Sequence, residues 1–435
     1  MPVSVIGAGL AGCEAAWQLA NRGFEVVLYE QKPQSFSPAH SYKGFAELVC
    51  SNSLKAMRIG SAAGMLKEEM RIFGSITMRC AEETAVSAGG ALAVDREKFS
   101  DAVTAKISAH KNIKIVIKEL TELPEGDIII ATGPLTSTAF AQTIKTLLGS
   151  EYLSFYDAAA PIVEFDSIDM EKVFFAARYD RGDADYINCP MNKDEYESFH
   201  TELVNAQSAQ LHSFETPDVY EGCMPIEVLA KRGEDSIRFG PLKPVGLRDP
   251  RTGHRPWAVA QLRRENAEGS LYNIVGFQTN LLFAEQKRVF AILPGLEHAE
   301  FARYGVMHRN TFIDSPRLLT AALCLKKHPN IYFAGQITGV EGYIESAASG
   351  ILAGYNLACR LAQKPPVHLP KEAMLGALTA YISDESVINF QPMGCNMGIL
   401  PPLCDNIRDK KERYEVLAQR GITALRAVIE PLQEE

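Results

Sequence analysis

The alternation of apolar and polar positions at the start of the chain predicts a strand, a helix and a second strand. Residues 3–6 form a short β-branched segment, and the Ala-rich segment over 10–21 is typical of a helix. Gly23 ends this helix, and the apolar run over 24–29 is expected to form the second strand. This order is the beginning of a βαβ unit, in which the two strands lie parallel in one sheet.

A glycine-rich turn joins the first strand to the helix. Its first glycine permits a tight turn, the second lets the backbone approach a pyrophosphate, and the third lets the helix pack closely on the strand. The free N–H groups of the helix N-terminus would then face the phosphates. Glu30, at the end of the second strand, is placed to accept hydrogen bonds from ribose hydroxyls. The predicted ligand is an adenine dinucleotide, and the candidate binding residues are Gly7, Ala8, Gly9, Leu10, Ala11, Gly12 and Glu30.

A second glycine turn near the end of the chain favours FAD over NAD. The segment 328–335 is expected to be a strand that runs into Gly335 and Gln336. A helix of small residues over 345–358, able to pack tightly on a sheet, should follow. Two-part FAD domains have this arrangement, in which the late turn meets the flavin end of the cofactor. The acid at position 30 also disfavours a 2′-phosphate. Gly335 and Gln336 therefore join the candidate cofactor-binding residues.

The middle of the chain breaks the α/β pattern. A helix over 95–110 and strands over 112–118 and 127–133 continue the pattern, which is lost after Gly133, and short irregular strands over 150–310 indicate an insertion. The predicted fold class is α/β, a Rossmann-like two-part FAD-binding domain with an inserted α+β substrate domain. The expected boundaries are 1–140 for the first part of the FAD-binding domain, 141–310 for the inserted domain, and 311–435 for the second part with C-terminal helices over 371–383 and 409–430.

Length and composition exclude several classes of protein. A chain of 435 residues is too long for one ordinary domain, and a hydrophobic content of 46% is sufficient for a full globular core. Its apolar stretches are shorter than the roughly eighteen residues that a membrane span needs. The N-terminus begins directly with a strand and has no signal-peptide pattern. We therefore expect a cytoplasmic protein with no membrane partner.

The formal net charge of −9 disfavours nucleic-acid binding by bulk attraction. Binding of that kind would need a local basic patch. The segment 231–264 is such a candidate, because it contains nine Lys or Arg residues and three acids. On composition alone, a solvated loop is the simpler interpretation.

The nine cysteines are scattered and include no CxxC pair. This pattern argues against a disulfide framework and a zinc cluster, so no metal ligands are predicted. Most of the cysteines are expected to be packed as small apolar residues. Two have unusual neighbours: Cys50 lies among small polar residues and a Lys, and Cys223 lies between Gly222 and Met224-Pro225, close to acids. These two are the candidate nucleophiles, although composition alone favours packing even for them.

Five segments together resemble the TrmFO family of folate- and FAD-dependent tRNA (uracil-5-)-methyltransferases. They are GAGLAGCEAA, ELVCSNSLK, EGCMPIE, YGVMHRNTFIDSP and AGQITGVEGYIESAASG. The likeness extends from the first strand to about residue 405. The chain also looks like a shorter relative of the glucose-inhibited-division flavoproteins, which have a long additional C-terminal helical domain.

The resemblance implies a reaction. The family transfers the methylene of 5,10-methylenetetrahydrofolate to C5 of the T-loop uridine, position 54, of tRNA, with FADH2 as the source of hydride and NAD(P)H as the final reductant. Cys223 corresponds to the cysteine proposed to attack C6 of the uracil. Cys50 corresponds to a second functional cysteine, proposed as general base or as partner of the flavin. Such a pair fits the chemistry, because C5 becomes nucleophilic only after a thiolate adds at C6, and a second group must then remove the C5 proton. The residues leave open which cysteine has which role.

The resemblance also changes the interpretation of other segments. His308 becomes a candidate for stacking on the pterin or the flavin, with a histidine packed in the core as the alternative. The basic segment 231–264 becomes a candidate RNA-facing surface of the inserted domain, because phosphate contacts need Lys and Arg. Trp257 within it could stack on an unpaired base. The predicted partners are thus tRNA and folate, and no obligate protein partner is implied.

Three other functions stay open at this point. One is the same methylation on a ribosomal RNA uridine, and another is a flavin-binding RNA chaperone whose catalysis is dispensable. The third is a flavin oxidoreductase that acts on a small molecule, against which the basic segment and the two cysteines count.

Overall fold

The computed structural model describes residues 1–149, 153–158, 160–180, 183–209, 224–305, 307–387, 390–405 and 407–434. The N-terminal part contains, in chain order, β1 (Val3–Ile6), α1 (Leu10–Asn21), β2 (Val26–Glu30), β3 (Ser53–Ala56), α2 (Ala62–Ile72), α3 (Ile76–Glu83), β4 (Ala85–Val86), β5 (Ala91–Val94), α4 (Arg96–Ser108), β6 (Ile113–Ile117), β7 (Ile128–Ile130) and α5 (Thr138–Leu148). The middle part contains β8 (Leu153–Ala158), β9 (Ile162–Glu164), β10 (Phe174–Phe175), β11 (Tyr186–Met191), α6 (Lys193–Asn205), α7 (Ile226–Ala230), β12 (Ala258–Arg264), β13 (Leu271–Ile274), α8 (Phe283–Phe290), β14 (Phe301–Arg303) and β15 (Met307–Phe312). The C-terminal part contains α9 (Ser315–Leu318), β16 (Ile331–Phe333), α10 (Tyr343–Leu361), α11 (Met374–Ile382) and α12 (Lys410–Glu434).

A five-stranded parallel sheet joins the two ends of the chain. Its strand order is β16-β7-β1-β2-β6, so the late strand β16 lies beside β7. Ile128, Ile129 and Ile130 of β7 are all buried, as expected for a strand covered on both faces. The sheet confirms the predicted α/β, Rossmann-like fold class, with its two parts contributed by the N-terminal and C-terminal segments. The boundaries at 140 and 310 stay a prediction.

The small-residue helix α10 packs on α1. A Cβ atom added at Gly350 would overlap the Ala11 carbonyl, and one added at Gly354 would lie 2.6 Å from the carbonyl oxygen of Ala15. The glycines therefore allow two helices, rather than a helix and a sheet, to approach closely. This packing brings the N-terminus of α10 near the glycine turn before α1.

The middle part forms a separate antiparallel sheet with its own apolar core. The strand order is β10-β11-β12-β13-β9-β14, and α6, α7 and α8 contribute buried residues to the same core. The aromatic rings of Phe199, Phe277 and Phe290 pack in series at its centre. This mixture of strands and helices agrees with the α+β character predicted for the insertion.

Some sequence predictions need adjustment. The helical pattern does not stop after Gly133, because α5 follows β7 and buries Phe140 and Ile144 against the parallel sheet. The final helix extends to Glu434, beyond the expected end. Among the described residues, none of the helices combines the length and the hydrophobicity of a transmembrane span.

Candidate functional site

Each position of the first turn requires a glycine for a different physical reason. Gly7 has a φ of +97°, and a Cβ there would lie 2.7 Å from the Ala131 carbonyl oxygen. A Cβ at Gly12 would overlap the Gly7 carbonyl, so this glycine lets α1 pack against β1. Gly9 is the N-cap of α1, has no side-chain cap, and faces open space where a Cβ would meet no protein atom within 4 Å. The first backbone N–H groups of α1 thus point toward an open volume, as an anion-binding helix N-terminus requires.

Glu30 lies at the end of β2 beside this turn. Its two carboxylate oxygens accept hydrogen bonds from the backbone N–H groups of Ala8, at 2.8 Å, and Lys32, at 2.9 Å. A carboxylate has about four acceptor positions, so capacity remains for two further donors such as ribose hydroxyls. These backbone bonds fix the orientation of the carboxylate before any ligand binds.

The late turn is built in a similar way. Gly335 has a φ of +86°, and its N–H donates to the Ser349 hydroxyl oxygen of α10 at 2.7 Å. Gln336 begins a short 3₁₀ helix, and its amide nitrogen donates to the Glu341 carboxylate at 2.6 Å. The turn is therefore held to the α10 region on both sides.

Both turns line one pocket. The predicted residues that line it are Gly7, Ala8, Gly9, Leu10, Ala11, Glu30, Gly335 and Gln336. Gly12 is not part of the lining, because it faces β1 instead. The pocket offers an uncapped helix N-terminus, a buried carboxylate and a second glycine turn, which together fit an adenine dinucleotide. Tyr343, the first residue of α10, lines the same pocket.

Tyr343 links this pocket to Cys50. Its phenol oxygen accepts hydrogen bonds from the N–H groups of Cys50, at 2.7 Å, and Ser51, at 3.2 Å, and lies 3.0 Å from the Cys50 sulfur. A phenol oxygen has two acceptor positions, so its own hydrogen is left to donate to the sulfur. Burial, followed by the neighbouring Cys50, raises the pKa of Tyr343 well above its usual value. The phenol therefore keeps its proton at neutral pH, so it is able to donate a hydrogen bond to the Cys50 sulfur.

The residues next to Cys50 are held by the inserted sheet. Arg263 of β12 donates to the Ser51 hydroxyl oxygen at 2.7 Å and to the Asn52 amide oxygen at 3.1 Å. Asn52 is completely buried, and its amide nitrogen donates to the carbonyls of Arg264 and Glu265. The strand that carries these residues thus fixes the Cys50 loop by several buried bonds, which cost far more to break than exposed ones.

A buried ion pair lies behind the same loop. Arg96 contacts Glu265, and it also donates to the Leu48 carbonyl at 2.7 Å. Burial raises the pKa of Glu265, although Arg96 and Arg263 oppose the shift. Removing one member of such a pair would leave a buried charge without its partner.

A further ion pair joins two of the motifs. Lys55 of the ELVCSNSLK segment lies 2.6 Å from the carboxylate of Glu345 on α10, and Glu345 also accepts the N–H of Cys395 at 3.0 Å. The loop that carries Cys50 is therefore held to α10 at both Tyr343 and Lys55.

Cys223 lies outside the described residues, so its position relative to Cys50 stays a prediction. The segment after it is well anchored: Met224 and Pro225 lead into α7, and the buried Glu227 accepts hydrogen bonds from the Thr279 hydroxyl and the Asn280 N–H, both at 2.8 Å. His308 lies in β15, whose backbone pairs with β8, but its side chain is likewise outside the described residues.

Sequence reasoning missed the residues that surround Cys50. Tyr343 belongs to the AGQITGVEGYIESAASG segment, so a tyrosine at the start of the small-residue helix after the late glycine turn was the available signal. The sequence contains no comparable signal for Arg96, Arg263 and Glu265, because only the fold brings these residues to the loop that carries Cys50. The 293 positions between Cys50 and Tyr343 illustrate the problem.

The parallel sheet, the two glycine turns and the inserted antiparallel sheet define a two-part dinucleotide-binding α/β protein. The sequence profile of the family described as "Glucose inhibited division protein A" matches residues 2–365. The GidA crystal structure from Aquifex aeolicus has the same fold, with a TM-score of 0.73 at 16% identity, over 99% of this chain and 73% of that one.

Full-length relatives narrow the class further. The chain is 59% identical to "Methylenetetrahydrofolate--tRNA-(uracil-5-)-methyltransferase TrmFO" of Acetivibrio thermocellus, over 98% of both chains. It is 56% identical to the protein of the same name from Enterococcus faecalis, over 99% of both chains. The chain therefore belongs to the glucose inhibited division protein A family and, within it, to the TrmFO methyltransferases. The resemblance predicted from the five motifs is confirmed.

Proposed function

We propose that this chain is a methylenetetrahydrofolate–tRNA-(uracil-5-)-methyltransferase that depends on FAD and NAD(P)H. It takes the carbon from 5,10-methylenetetrahydrofolate and places it as a methyl group on C5 of the T-loop uridine at position 54. The observation that carries the proposal is the single pocket that joins two glycine turns to Tyr343 and hence to Cys50. Membership of the TrmFO family supplies the identity of the substrates.

The chain holds the cofactor mainly through its backbone. The N–H groups at the start of α1 would bind the pyrophosphate, Glu30 would accept from the ribose, and the Gly335-Gln336 turn would contact the flavin end. Bound FAD, once reduced at the expense of NAD(P)H, supplies the hydride that converts the transferred methylene to a methyl group. The protein contributes orientation and the groups that act on the uracil.

Two cysteines act on the uracil in this proposal. The Cys223 thiolate adds to C6 and makes C5 nucleophilic toward the methylene carbon. Removal of the C5 proton then expels the nitrogen that carried this carbon, and the thiolate leaves C6 when hydride adds to the resulting methylene group on the uracil. Cys50 is the second functional cysteine and the proposed acceptor of that proton. A cysteine can accept a proton only as a thiolate. The hydrogen bond between Cys50 and Tyr343 supports this role, because a phenol O–H that donates to the sulfur would stabilise the thiolate.

A label-transfer assay tests the function. The purified protein receives methylene-labelled methylenetetrahydrofolate, NADH and either unmodified tRNA or ribosomal RNA. We expect label in tRNA only. Label confined to ribosomal RNA would overturn the choice of substrate, and label in neither RNA would overturn the methyltransferase assignment.

The cysteine roles have a separate test. Cys223→Ala and Cys50→Ala should each purify with the yellow flavin but form no 5-methyluridine, because neither residue is needed to bind the cofactor. Cys189→Ala, which changes a buried cysteine of the inserted sheet, is the matched control and should stay active. Wild-type turnover in the Cys223 variant would refute the nucleophile assignment.

A further inference from the structure

The segment 231–257 carries a cluster of exposed cations on an acidic protein. Lys243, Arg248 and Arg255 are exposed and make no ion pair with an acidic side chain that the structure describes. Two of the nearby acids are already engaged, because Asp235 pairs with Arg238 at 3.3 Å and Asp249 pairs with Arg251 at 2.7 Å. These two pairs cancel within the segment, so its excess positive charge is carried by residues such as Lys243, Arg248 and Arg255.

The same segment carries an exposed aromatic ring. Phe239 is 69% exposed. Single exposed apolar side chains are common on protein surfaces, so exposure alone indicates nothing. Phe239 differs because its neighbours fix it: its N–H donates to the Asp235 carbonyl at 2.9 Å, and the buried Ile237 and Leu242 anchor the turn on either side. The ring is thus held on the surface by a rigid backbone.

The ring of Trp257, the other aromatic candidate in the segment, is already covered by a side chain of the protein. The Arg238 guanidinium lies 3.7 Å from the centre of the Trp257 ring, and its Nε donates to the Trp257 carbonyl oxygen at 3.1 Å. Trp257 also packs against the core of the inserted sheet. The same guanidinium lies 5.1 Å from the centre of the Phe239 ring, so Arg238 contacts both rings. The ring available to a partner is that of Phe239.

The cluster is connected to the candidate site in two ways. It begins directly after α7, so Lys231 lies roughly 9 Å along the helix from Pro225. Strand β12 starts at Ala258, next to Trp257, and its far end carries Arg263, which contacts Ser51 and Asn52. A strand of this length spans roughly 20 Å. Stacked nucleotides rise about 3.4 Å each, so the span corresponds to about six nucleotides.

We propose that Phe239 and the cations Lys243, Arg248 and Arg255 form the surface that docks the tRNA, with the phenyl ring stacked on an unpaired base and the cations on the backbone phosphates. Unpaired bases in RNA loops are commonly bound on aromatic side chains, and Lys and Arg neutralise the phosphates. The proposal rests on tRNA being the substrate. The proposal adds the surface of the protein that contacts the tRNA. This surface lies away from the reacting uridine, at a distance that a folded tRNA can span.

Binding measurements on the holoenzyme test the aromatic part. Phe239→Leu keeps an apolar side chain but removes the ring, and we expect its affinity for unmodified tRNA to fall between about 5-fold and 100-fold. Phe239→Trp keeps a ring and should bind close to wild type. Equal affinity of the Leu variant and the wild type would overturn the stacking role.

The salt dependence of binding tests the cations. The triple variant Lys243→Ala/Arg248→Ala/Arg255→Ala should lower the slope of log affinity against log salt by about 2 to 3, because each phosphate contact contributes about 0.7 to 0.9. The matched control removes three exposed lysines of the C-terminal part, Lys371, Lys410 and Lys411, and should keep the wild-type slope. All variants should retain flavin absorbance.

The outcomes separate this proposal from the proposed function. Unchanged tRNA affinity and slope in both variants, together with normal methylation by the wild type, would overturn the docking surface and leave the function intact; the patch would then suit an acidic protein instead. Loss of affinity in the variants, with no methylation of tRNA by the wild type, would uphold the RNA surface while the proposed reaction fails.

Discussion

At the scale of single residues, the hydroxyl of Tyr343 is the group whose removal is most informative. Tyr343→Phe keeps the ring in the pocket but removes the bond to the Cys50 sulfur. Hydrogen bonds to charged groups contribute about 1.5–3 kcal/mol, so we expect methylation to slow roughly 10- to 100-fold. The pH dependence of the rate should move to higher pH, because the Cys50 thiolate loses its donor.

The assay for this variant is 5-methyluridine formation across a pH series, with flavin absorbance as the check on folding. Tyr42→Phe, which removes a tyrosine hydroxyl bonded to Asp101 at the surface, is the matched control. A Tyr343 variant with the wild-type rate and pH profile would show that the contact with Cys50 has no part in catalysis.

Substitutions at two glycines of the first turn should impair different properties of the protein, flavin binding in one case and stability in the other. A Cβ at Gly9 meets no protein atom within 4 Å. The apoprotein of Gly9→Val should therefore fold normally but purify colourless, since the side chain fills the space where we place the pyrophosphate. Gly12→Ala places a methyl group on the Gly7 carbonyl, so it should lower the stability of the apoprotein itself. Flavin absorbance and the melting temperature of the apoprotein separate the two effects. Full flavin content in Gly9→Val would refute the assignment of the turn.

The difference between predicted and missed residues has a physical origin. Gly7, Gly9 and Gly12 could be predicted because local backbone geometry and a nearby phosphate require glycine at that spacing. The surroundings of Cys50 could not, because Tyr343 and Arg263 reach it through long-range packing that no local pattern encodes. The sequence also predicts Trp257 as a stacking residue. In the folded chain the Arg238 guanidinium lies over the Trp257 ring, and no local pattern indicates this contact.

At the scale of elements, the contact between α1 and α10 couples the two glycine turns. Gly350→Ala would press a methyl group onto the Ala11 carbonyl and push the helices apart. We expect a loss of about 1–3 kcal/mol in the free energy of unfolding. Flavin should also bind more weakly, because both helices begin at the pocket. Thermal unfolding and flavin content measure the two effects.

Gly90→Ala is the matched control for this substitution, since a Cβ there would meet no atom within 4 Å. If Gly350→Ala were as stable and as yellow as Gly90→Ala, the close packing of α1 and α10 would not be what holds the turns together.

The helices α2 and α11 are joined by a buried carboxylate with a predictable pH dependence. Glu69 accepts the N–H groups of Met374 and Leu375, at 2.7 and 2.8 Å, and burial raises its pKa to about 7. Because the pKa of the folded state lies above that of the unfolded state, the contribution of Glu69 to stability is full below about pH 4.5. It is lost as the pH rises through about 7.

The shift corresponds to about 3 kcal/mol between these limits. We therefore expect the melting temperature of the wild type, relative to Glu69→Gln, to decline from pH 5 to pH 8. The comparison with Glu69→Gln cancels the titration of other groups. A constant difference over this range would contradict the assignment of a raised pKa to Glu69.

At the scale of the whole molecule, the inserted sheet and the parallel sheet meet at the Cys50 loop. The alternating pattern was sufficient to predict the α/β class and the insertion, because both depend on local periodicity. The order of the strands and the clamp from β12 onto the loop depend on packing between distant segments, so they required the structure. The junction explains why a cysteine far from the glycine turns in sequence lies next to the pocket they line.

The central claim is that this site methylates one uridine of tRNA. The most direct measurement uses two unmodified tRNA transcripts, one with uridine and one with cytidine at position 54, incubated with the holoenzyme, methylenetetrahydrofolate and NADH. Nucleoside analysis by mass spectrometry then quantifies 5-methyluridine. We predict about one 5-methyluridine per molecule of the first transcript and none in the second. Equal modification of both transcripts, or of neither, would contradict the account.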